Sequence, residues 1–509
     1  MKREHYTYLL LILFVFVAAN KPTNVYSKLT DRQKAGKKVY TKGIGTTNIK
    51  ITANMSGVNV PATIMTCVNC HNAKGTGNPE GGITPSNITW ESLTKSYGGK
   101  RQDGKNRPAY TEKTLRKVIT TGIDPAGNQL HSVMPKYNMS REDIDNLIAY
   151  LKVIGEDNVQ GVTPIAIKIG FALPGSINSE NARAVKKIVN AYTTEINNTG
   201  GIYNRKLTPV FYENKTNIND DDVFMLTGFD DSFKVNVDED LLIPALLSYS
   251  KTTVPNGFNN KNVFYLHPSL VAQNMSLVTF SKKKKFTKEE TSPSILFYDD
   301  ETRKHTAKKI EEKYRKEFNT TPFITAINEH NINEIVKNKT IKTGTTLHFI
   351  GPHYIGHKLL IALNEAGKFP YIFLSGSISS INVFNIPKAF KNNVFIGYPS
   401  WISEKTVSGI KKYDYLKNKY SLEYKWKGNQ LDALTMLLTI EECLKRIGQD
   451  LTQELFIEEL ENLYEFPTGL IQPITYTPNK RVGNATMYIT SYDSVSEQMN
   501  LITTINSRE

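Results

Sequence analysis

The sequence predicts a multidomain chain in which a small all-α domain is followed by a larger α/β domain. Three observations predict it. The chain has 509 residues, room for roughly three folding units of about 150 residues each. Its first third holds a compact Cys/His motif and a well-capped apolar helix. From about residue 163 onward, short apolar runs alternate with amphipathic helical ones, the pattern of parallel α/β layers.

Composition narrows the classes further. Hydrophobic residues make up 39% and charged residues 22%, which excludes collagen-like, coiled-coil and wholly disordered chains. Three cysteines are too few for a disulfide scaffold. The formal charge is +14, and it is unevenly placed. From Lys28 to Gly155 there are 19 Lys and Arg against 9 Asp and Glu, so this stretch carries most of the excess. A basic face there could steer an acidic redox partner; a generally lysine-rich proteome is the plainer reading. No nucleic-acid recognition motif is present.

The amino terminus reads as an export signal. Lys2 and Arg3 precede an apolar run from Tyr8 to Ala19. That run is shorter than the roughly 20 residues a bilayer core requires. Small residues follow it, as in a secretory signal peptide, expected over residues 1–27 with cleavage after Ala19 or Ser27. The alternative is an uncleaved membrane anchor. No cysteine lies near either point, so a lipoprotein anchor is not expected. No other segment is long and apolar enough to cross a membrane, and the mature chain is expected in the periplasm.

The strongest local signal is Cys67-Val68-Asn69-Cys70-His71, the pattern of c-type haem attachment. Two thiols three positions apart can form thioethers with the two vinyl groups of one haem, which places His71 under the iron as an axial ligand. A redox dithiol or a zinc half-site needs no adjacent histidine. A zinc site would also need more ligands, and only Cys443 remains, on a helical apolar run where it reads as a buried, inert thiol. The second axial ligand is expected to be Met134, in Ser132-Val133-Met134-Pro135-Lys136-Tyr137. The proline and the helix that follows fix the loop, with Ser140 as N-cap and Glu142 and Asp143 in the first turn. Ile144, Leu147, Ile148 and Leu151 give that helix an apolar face. His131 and Met139 are the rival ligands; Met139 reads as packing and His131 as a surface residue.

The stretch from about Asp31 to Gly155 resembles a class I monohaem cytochrome c. It does so through Gly36 and Tyr40 in a first helix, Cys67 to His71, Met134-Pro135, and Leu147 to Leu151 in the last helix. The resemblance implies one covalent haem c in a domain over residues 28–155, and a crossing of first and last helices at Gly36 against Tyr150. Gly75-Thr76-Gly77, Glu80-Gly81-Gly82, Trp90 and Gly122 to Gly127 look like a subgroup of small bacterial cytochromes. The long gap from Tyr40 to Cys67 departs from many members and reads as an extra loop or hairpin on the haem face. His/Met ligation raises the potential and leaves no open site, so outer-sphere one-electron transfer is the expected role.

Residues 156–162 are polar and glycine-bounded and read as a linker. Beyond it come a strand Ile165 to Ala172, a helix Glu180 to Asn197, a strand Lys206 to Tyr212, an apolar run Val223 to Thr227, a strand Ser294 to Tyr298 and a helix Thr302 to Phe318. The region 163–509 resembles the type I periplasmic binding proteins of the branched-chain amino acid receptor kind. The markers are Ile167 to Phe171 leading to Glu195 to Leu207, Ile243-Pro244, Asp432-Ala433-Leu434, and Phe466 to Ile471. The resemblance implies two α/β lobes that close on a small solute, with ligand groups on loops at the C-terminal ends of strands. Thr227, Ser250 and Thr252 in the first lobe and Tyr354 and Ser375 in the second are the candidates. Phe229, Asp230 and Asp231 stand where amino acid binders carry small hydroxyl residues. The Lys282 to Lys285 run reads as a solvated loop between lobes. Asp220 to Asp222 and Asp238 to Asp240 read as solvated acidic turns.

The expectation is an exported electron carrier, not an enzyme, coupled to a solute-binding domain. The alternatives are a substrate-binding receptor of an ABC-type amino acid or small-metabolite transporter with an accessory haem domain, and a cytochrome subunit of a periplasmic dehydrogenase.

Overall fold

A computed structural model describes residues 29–77, 84–96, 98–100, 104, 106–155, 159–174, 179–212, 217–218, 223–229, 234–235, 243–252, 254, 262–286, 292–376, 386–493, 496 and 498–507. The stretch read as a signal peptide, residues 80–82, 156–158, 230–231 and both acidic turns lie outside the described residues. The chain divides into two compact units, residues 1–158 and 159–509.

The first unit runs α1 (Asp31–Lys42), β1 (Thr52–Met55), β2 (Val58–Pro61), α2 (Cys67–His71), α3 (Trp90–Leu93), β3 (Gly99–Lys100), β4 (Asn106–Arg107), α4 (Glu112–Thr121), β5 (Lys136–Asn138) and α5 (Arg141–Leu151). A capping box starts α1: the Thr30 hydroxyl accepts from the Gln33 N–H, and the Gln33 side chain accepts from the Thr30 N–H. Helices α1 and α5 cross at Gly36. A Cβ there would stand 1.9 Å from the Asn146 carbonyl oxygen and 2.8 Å from the Tyr150 Cβ, so only glycine permits the approach. The Tyr40 and Tyr150 rings close the crossing at 5.5 Å. The long gap before Cys67 contains a hairpin. Strands β1 and β2 pair antiparallel around Ser56 and Gly57, both at positive φ, the two-residue geometry that matches strand twist. Strand β5 adds to β1 in the register Thr52–Asn138, Ala53–Tyr137 and Asn54–Lys136. The unit is otherwise helical apart from the short β3–β4 pair.

The second unit begins with β6 (Ala166–Ala172), α6 (Glu180–Asn198), β7 (Lys206–Tyr212), β8 (Asn217–Ile218), β9 (Met225–Gly228), β10 (Lys234–Val235), β11 (Ala245–Leu247) and β12 (Val263–Tyr265). Next come α7 (Leu270–Lys283), β13 (Ser294–Tyr298), α8 (Glu301–Phe318), β14 (Phe323–Ile327), α9 (Ile332–Lys337), β15 (Thr346–Ile350), α10 (His353–Glu365), β16 (Tyr371–Ser375) and β17 (Val394–Tyr398). It ends with α11 (Val407–Tyr420), α12 (Lys427–Ile447), α13 (Gln453–Glu461), β18 (Thr486–Asp493) and β19 (Gln498–Asn506). Val159 to Val162, inside the stretch read as linker, pack with this unit: Val162 is buried in its core.

Two main sheets define two lobes. The first has the order β12-β11-β9-β6-β7 and is parallel throughout. The second has the order β14-β13-β15-β16-β17-β18-β19, with β18 and β19 antiparallel. One core joins the first sheet to α6, α11, α12 and α13; others fill the second lobe. The chain therefore passes between lobes three times, near 266–269, 399–406 and 477–485. These passages are tied together. Tyr265 N–H donates to the Arg481 carbonyl at 2.8 Å, Gly483 N–H to the Tyr265 carbonyl at 2.8 Å, and the Asn484 amide to the Pro399 carbonyl at 3.3 Å. Tyr488 donates to Glu404 across the same junction.

The lysine run differs from its reading as an interlobe loop. Lys282 and Lys283 form the last turn of α7, where cations complement the helix dipole. Lys282 lies over the Phe318 ring at 5.7 Å and 3.8 Å from the Glu317 carboxylate, so the run stays within the second lobe.

Candidate haem cavity and solute-binding edges

A cavity of about 660 Å³ lies in the first unit. Cys67, Cys70, His71 and Met134 all line it, together with Tyr40, Arg107, His131 and an apolar wall that includes Leu93, Leu115, Val118, Leu147 and Leu151. Helix α2 is a little over one turn, so its two thiols and its imidazole are presented from one short element. His71 is 7% exposed, and its Nδ1 lies 2.9 Å from the Ser86 carbonyl oxygen. A carbonyl accepts, so Nδ1 carries the proton and Nε2 keeps its lone pair, the arrangement of a metal-ligating histidine. Burial lowers the imidazole's pKa, outweighing the Ser86 bond, which keeps the ring neutral as ligation requires.

The surroundings of Cys67 argue against redox dithiol chemistry. Burial pushes Cys67 up to about 12, whereas reactive CxxC thiols are lowered. Arg107 supplies a cation on the cavity wall. Its guanidinium donates to the Leu93 and Ser92 carbonyls at 3.3 and 3.2 Å and stacks on Tyr110 at 4.5 Å. Thus two alkylatable thiols, a neutral imidazole with one free nitrogen, a thioether and an apolar wall share one space, and this donor set fits a covalently held haem. Among the described residues, no group of three or more His, Cys, Asp and Glu could hold a bare metal ion.

Met134 sits in a turn where its N–H donates to the His131 carbonyl at 3.0 Å. His131 is exposed and accepts from the Val133 N–H through Nδ1 at 3.3 Å. Met139 is 8% exposed within the core and does not line the cavity. The loop's entry is held by Asp124. Its carboxylate accepts from Ala126 N–H at 2.9 Å and from Asn128 N–H at 2.8 Å. Sequence reading missed this residue, although Asp-Pro-Ala-Gly-Asn is a turn signal.

In the second unit, Thr227 is the penultimate residue of β9, and Ser250 and Thr252 follow the neighbouring strand β11, where Leu247 pairs with Gly228. The three therefore share the C-terminal edge of the first sheet. Thr227 is fully buried, and its hydroxyl donates to the Leu246 carbonyl at 2.7 Å. Ser250 is also buried; Thr252 is exposed. Ser375 ends β16, and Tyr354 lies at the start of α10 after the adjacent β15. Ser375 is 2% exposed and its hydroxyl donates to Gln273 Oε1 at 2.7 Å. Tyr354 is half-exposed, and its phenol pairs with Tyr298, which raises its pKa. Sequence reading also missed an acid at the first sheet's edge. Asp432 on α12 accepts from Ser248 at 2.7 Å and lies 3.3 Å from His267 Nε2. Asp432-Ala433-Leu434 had signalled only a late helix. Cys443 is buried in the core, and burial pushes its thiol up.

Comparison with known proteins follows the division into units. The cytochrome c family model matches residues 33–154. No curated protein matches the chain by sequence. Among solved structures, a fatty acid ABC transporter substrate-binding protein from Thermomonospora curvata is similar, with TM-score 0.56 and 15% identity over 69% of this chain and 96% of that one. A possible leucine/isoleucine/valine-binding protein from Rhodopirellula baltica SH 1 gives TM-score 0.52 and 12% identity over 67% of this chain and 98% of that one. An extracellular ligand-binding receptor from Verminephrobacter eiseniae ef01-2 gives TM-score 0.51 and 14% identity over 66% and 99%. These likenesses establish a fold. The chain thus joins a cytochrome c domain at residues 33–154 to an α/β unit with the fold of the type I periplasmic binding proteins.

Proposed function

We propose that this chain is an exported, non-enzymatic electron carrier. Cys67 and Cys70 hold one haem c by thioethers, His71 and Met134 are its axial ligands, and the second unit binds a small solute. When bound, a haem with nitrogen and thioether ligands supplies one-electron redox chemistry at a raised potential. The chain's own residues do the rest. Ser86 fixes the imidazole tautomer, the apolar wall excludes water, and the basic stretch offers a docking face for a redox partner, acidic if charge steers it. The observation that carries this reading is that both thiols, His71 with its Nδ1 on the Ser86 carbonyl, and Met134 line one cavity. Export to the periplasm is inferred from the amino-terminal sequence pattern and the cytochrome domain. Among the described residues no helix is long and apolar enough to cross a membrane.

Met134→Ala tests the ligand set. The haem should stay covalently attached, because both cysteines remain. The reduction potential should fall and carbon monoxide should bind. A variant with the wild-type spectrum and potential would remove Met134 from the assignment.

For the second unit the proposal is solute binding by Ser250, Thr252 and Tyr354 at the sheet edges. A specific observation favours a second reading, a docking scaffold that has lost its solute. The hydroxyls of Thr227 and Ser375 already bond within the fold.

A further inference from the structure

We propose that Tyr137 is the positioning residue for Met134. By tying the strand that follows the methionine to the segment that precedes Cys67, it sets how firmly the thioether is held at the haem site. This rests on the reading of Met134 as an axial ligand.

Met134 lies in an irregular turn, so its position depends on what holds its two flanks. The entry flank is fixed locally, by Asp124 and by the Leu130 N–H donating to the Gly122 carbonyl at 2.7 Å. Those bonds stay within residues 122–130. The exit flank is fixed from far away. Three residues after Met134, Tyr137 is 5% exposed, and its phenol donates to the Met65 carbonyl at 2.8 Å. Met65 stands two residues before Cys67. One side chain thus spans from the methionine loop to the segment that carries both thiols and His71. The backbone of the same flank is paired with β1, Tyr137 opposite Ala53. The hairpin is itself anchored: Ala62 N–H donates to the Ile51 carbonyl at 3.1 Å, and a Cβ on Gly43 would stand 2.3 Å from the Ala62 carbonyl oxygen. The extra residues between Tyr40 and Cys67 therefore acquire a purpose. They form the sheet that delivers Tyr137 to Met65.

The consequence concerns competition for the sixth position. An outside ligand binds only molecules in which the methionine has left, so its apparent affinity scales with that fraction. Removing the phenol hydroxyl takes the donor from the part-buried Met65 carbonyl, and the contact from the Cys67 sulfur, and loosens the exit flank. Losing one such bond should raise the detached fraction roughly tenfold, equivalent to about 1.4 kcal/mol.

The test uses the full-length ferric holoprotein, titrated with imidazole, in three variants. Tyr137→Phe keeps the buried ring and deletes the hydroxyl. It should bind imidazole roughly tenfold more tightly than wild type, with a lower reduction potential. Val39→Ala, a core truncation on α1 at a residue 2% exposed and outside the cavity lining, should lower thermal stability and leave imidazole affinity unchanged. Equal imidazole affinity for Tyr137→Phe and wild type overturns the proposal, as does an equal gain in Val39→Ala. Met134→Ala separates the two readings. If it binds imidazole tightly while Tyr137→Phe does not, only the positioning role falls. If it matches wild type, the ligand assignment falls and the positioning role with it. Should Tyr137→Phe fail to mature, Gly57→Val strains the hairpin turn at its φ of 93° without touching the cavity, and should shift imidazole affinity in the same direction; no shift there would equally overturn the proposal.

Discussion

The cavity of the first unit and the C-terminal sheet edges of the second differ in how their polar groups are used. In the first unit, His71 keeps one nitrogen unspoken for and Met134 lines the cavity, while neighbouring groups hold them in place. In the second unit, four of the five expected contact groups already bond within the fold: Thr227 to a neighbouring strand, Ser375 to a helix, Ser250 to the Thr252 N–H and Tyr354 to Tyr298. A reactive site leaves lone pairs free and surrounds them with satisfied groups. A scaffold satisfies everything. Whether Ser250, Thr252 and Tyr354 turn to a solute decides which of the two the second unit is.

The largest effect that would break this comparison is expected at the helix crossing that frames the cavity. Gly36→Val places a branched side chain where even a Cβ meets the Asn146 carbonyl oxygen at 1.9 Å. Backbone cannot yield as a flexible side chain can. The first unit should lose roughly 3 kcal/mol, the upper end of ordinary overpacking costs, and the haem-linked melting transition should move down. The melting of the second unit should not move. A variant whose haem-linked transition is unchanged would mean the crossing is looser than the geometry says.

The contrast between the units also explains what was legible in the sequence. The haem motif is five consecutive residues, and its chemistry follows from spacing alone. Gly36 and Tyr150 are legible through the resemblance to class I cytochromes, which implies a crossing of the first and last helices there. The strands Lys206–Tyr212 and Ser294–Tyr298 show as apolar runs between helices, and both stand as expected. The gap before Cys67 reads as an extra loop or hairpin, but nothing local places its strands. Thr52–Met55 and Val58–Pro61 are only four residues each, and the partner that stabilises them, β5, lies about 80 residues away. The hinge was illegible for the same reason. Its bonds join the backbones of residues 265–266 and 481–484, with the Asn484 side chain reaching the Pro399 carbonyl, and backbone groups leave no mark in a sequence. Asp143 was read as a helix-dipole acid, and its three tertiary bonds from Thr46 and Thr47 had no local signature.

A smaller effect sharpens the comparison from the other side. Ser375→Ala removes a buried hydroxyl that donates to Gln273 Oε1, leaving that acceptor without the bond. The second unit should lose about 1–2 kcal/mol, with the haem spectrum untouched. Read alongside a thermal-shift screen of amino acids, organic acids and amides, the variant separates the two roles. A bound solute at 100 times its dissociation constant adds about 2.7 kcal/mol. If Ser375 acts only within the fold, wild type and variant should show the same solute-induced shift from different starting temperatures. A shift that vanishes in the variant would return Ser375 to the ligand-contact set.

The smallest effect is a pH dependence confined to the first unit. Asp143 is buried at the start of α5, and burial alone would raise its pKa. Four hydrogen bonds to the carboxylate outweigh that, from the Ser140 hydroxyl, the Thr46 N–H and hydroxyl, and the Thr47 hydroxyl, and hold it below its ordinary 3.8. A carboxyl whose folded pKa is depressed stabilises the fold above its unfolded pKa, and that contribution disappears as pH falls through the folded value. The first unit should therefore weaken below about pH 4. Asp143→Asn has fewer acceptor sites for four donors and should be less stable at neutral pH. Its stability should also lack this part of the acid dependence, so the two melting curves should converge as the pH drops. Other carboxylates titrate in the same range, but they titrate in both proteins and cancel in the difference. Parallel curves for wild type and variant from pH 7 to pH 3 would show that the Gly45–Thr47 segment is held by something other than this charge.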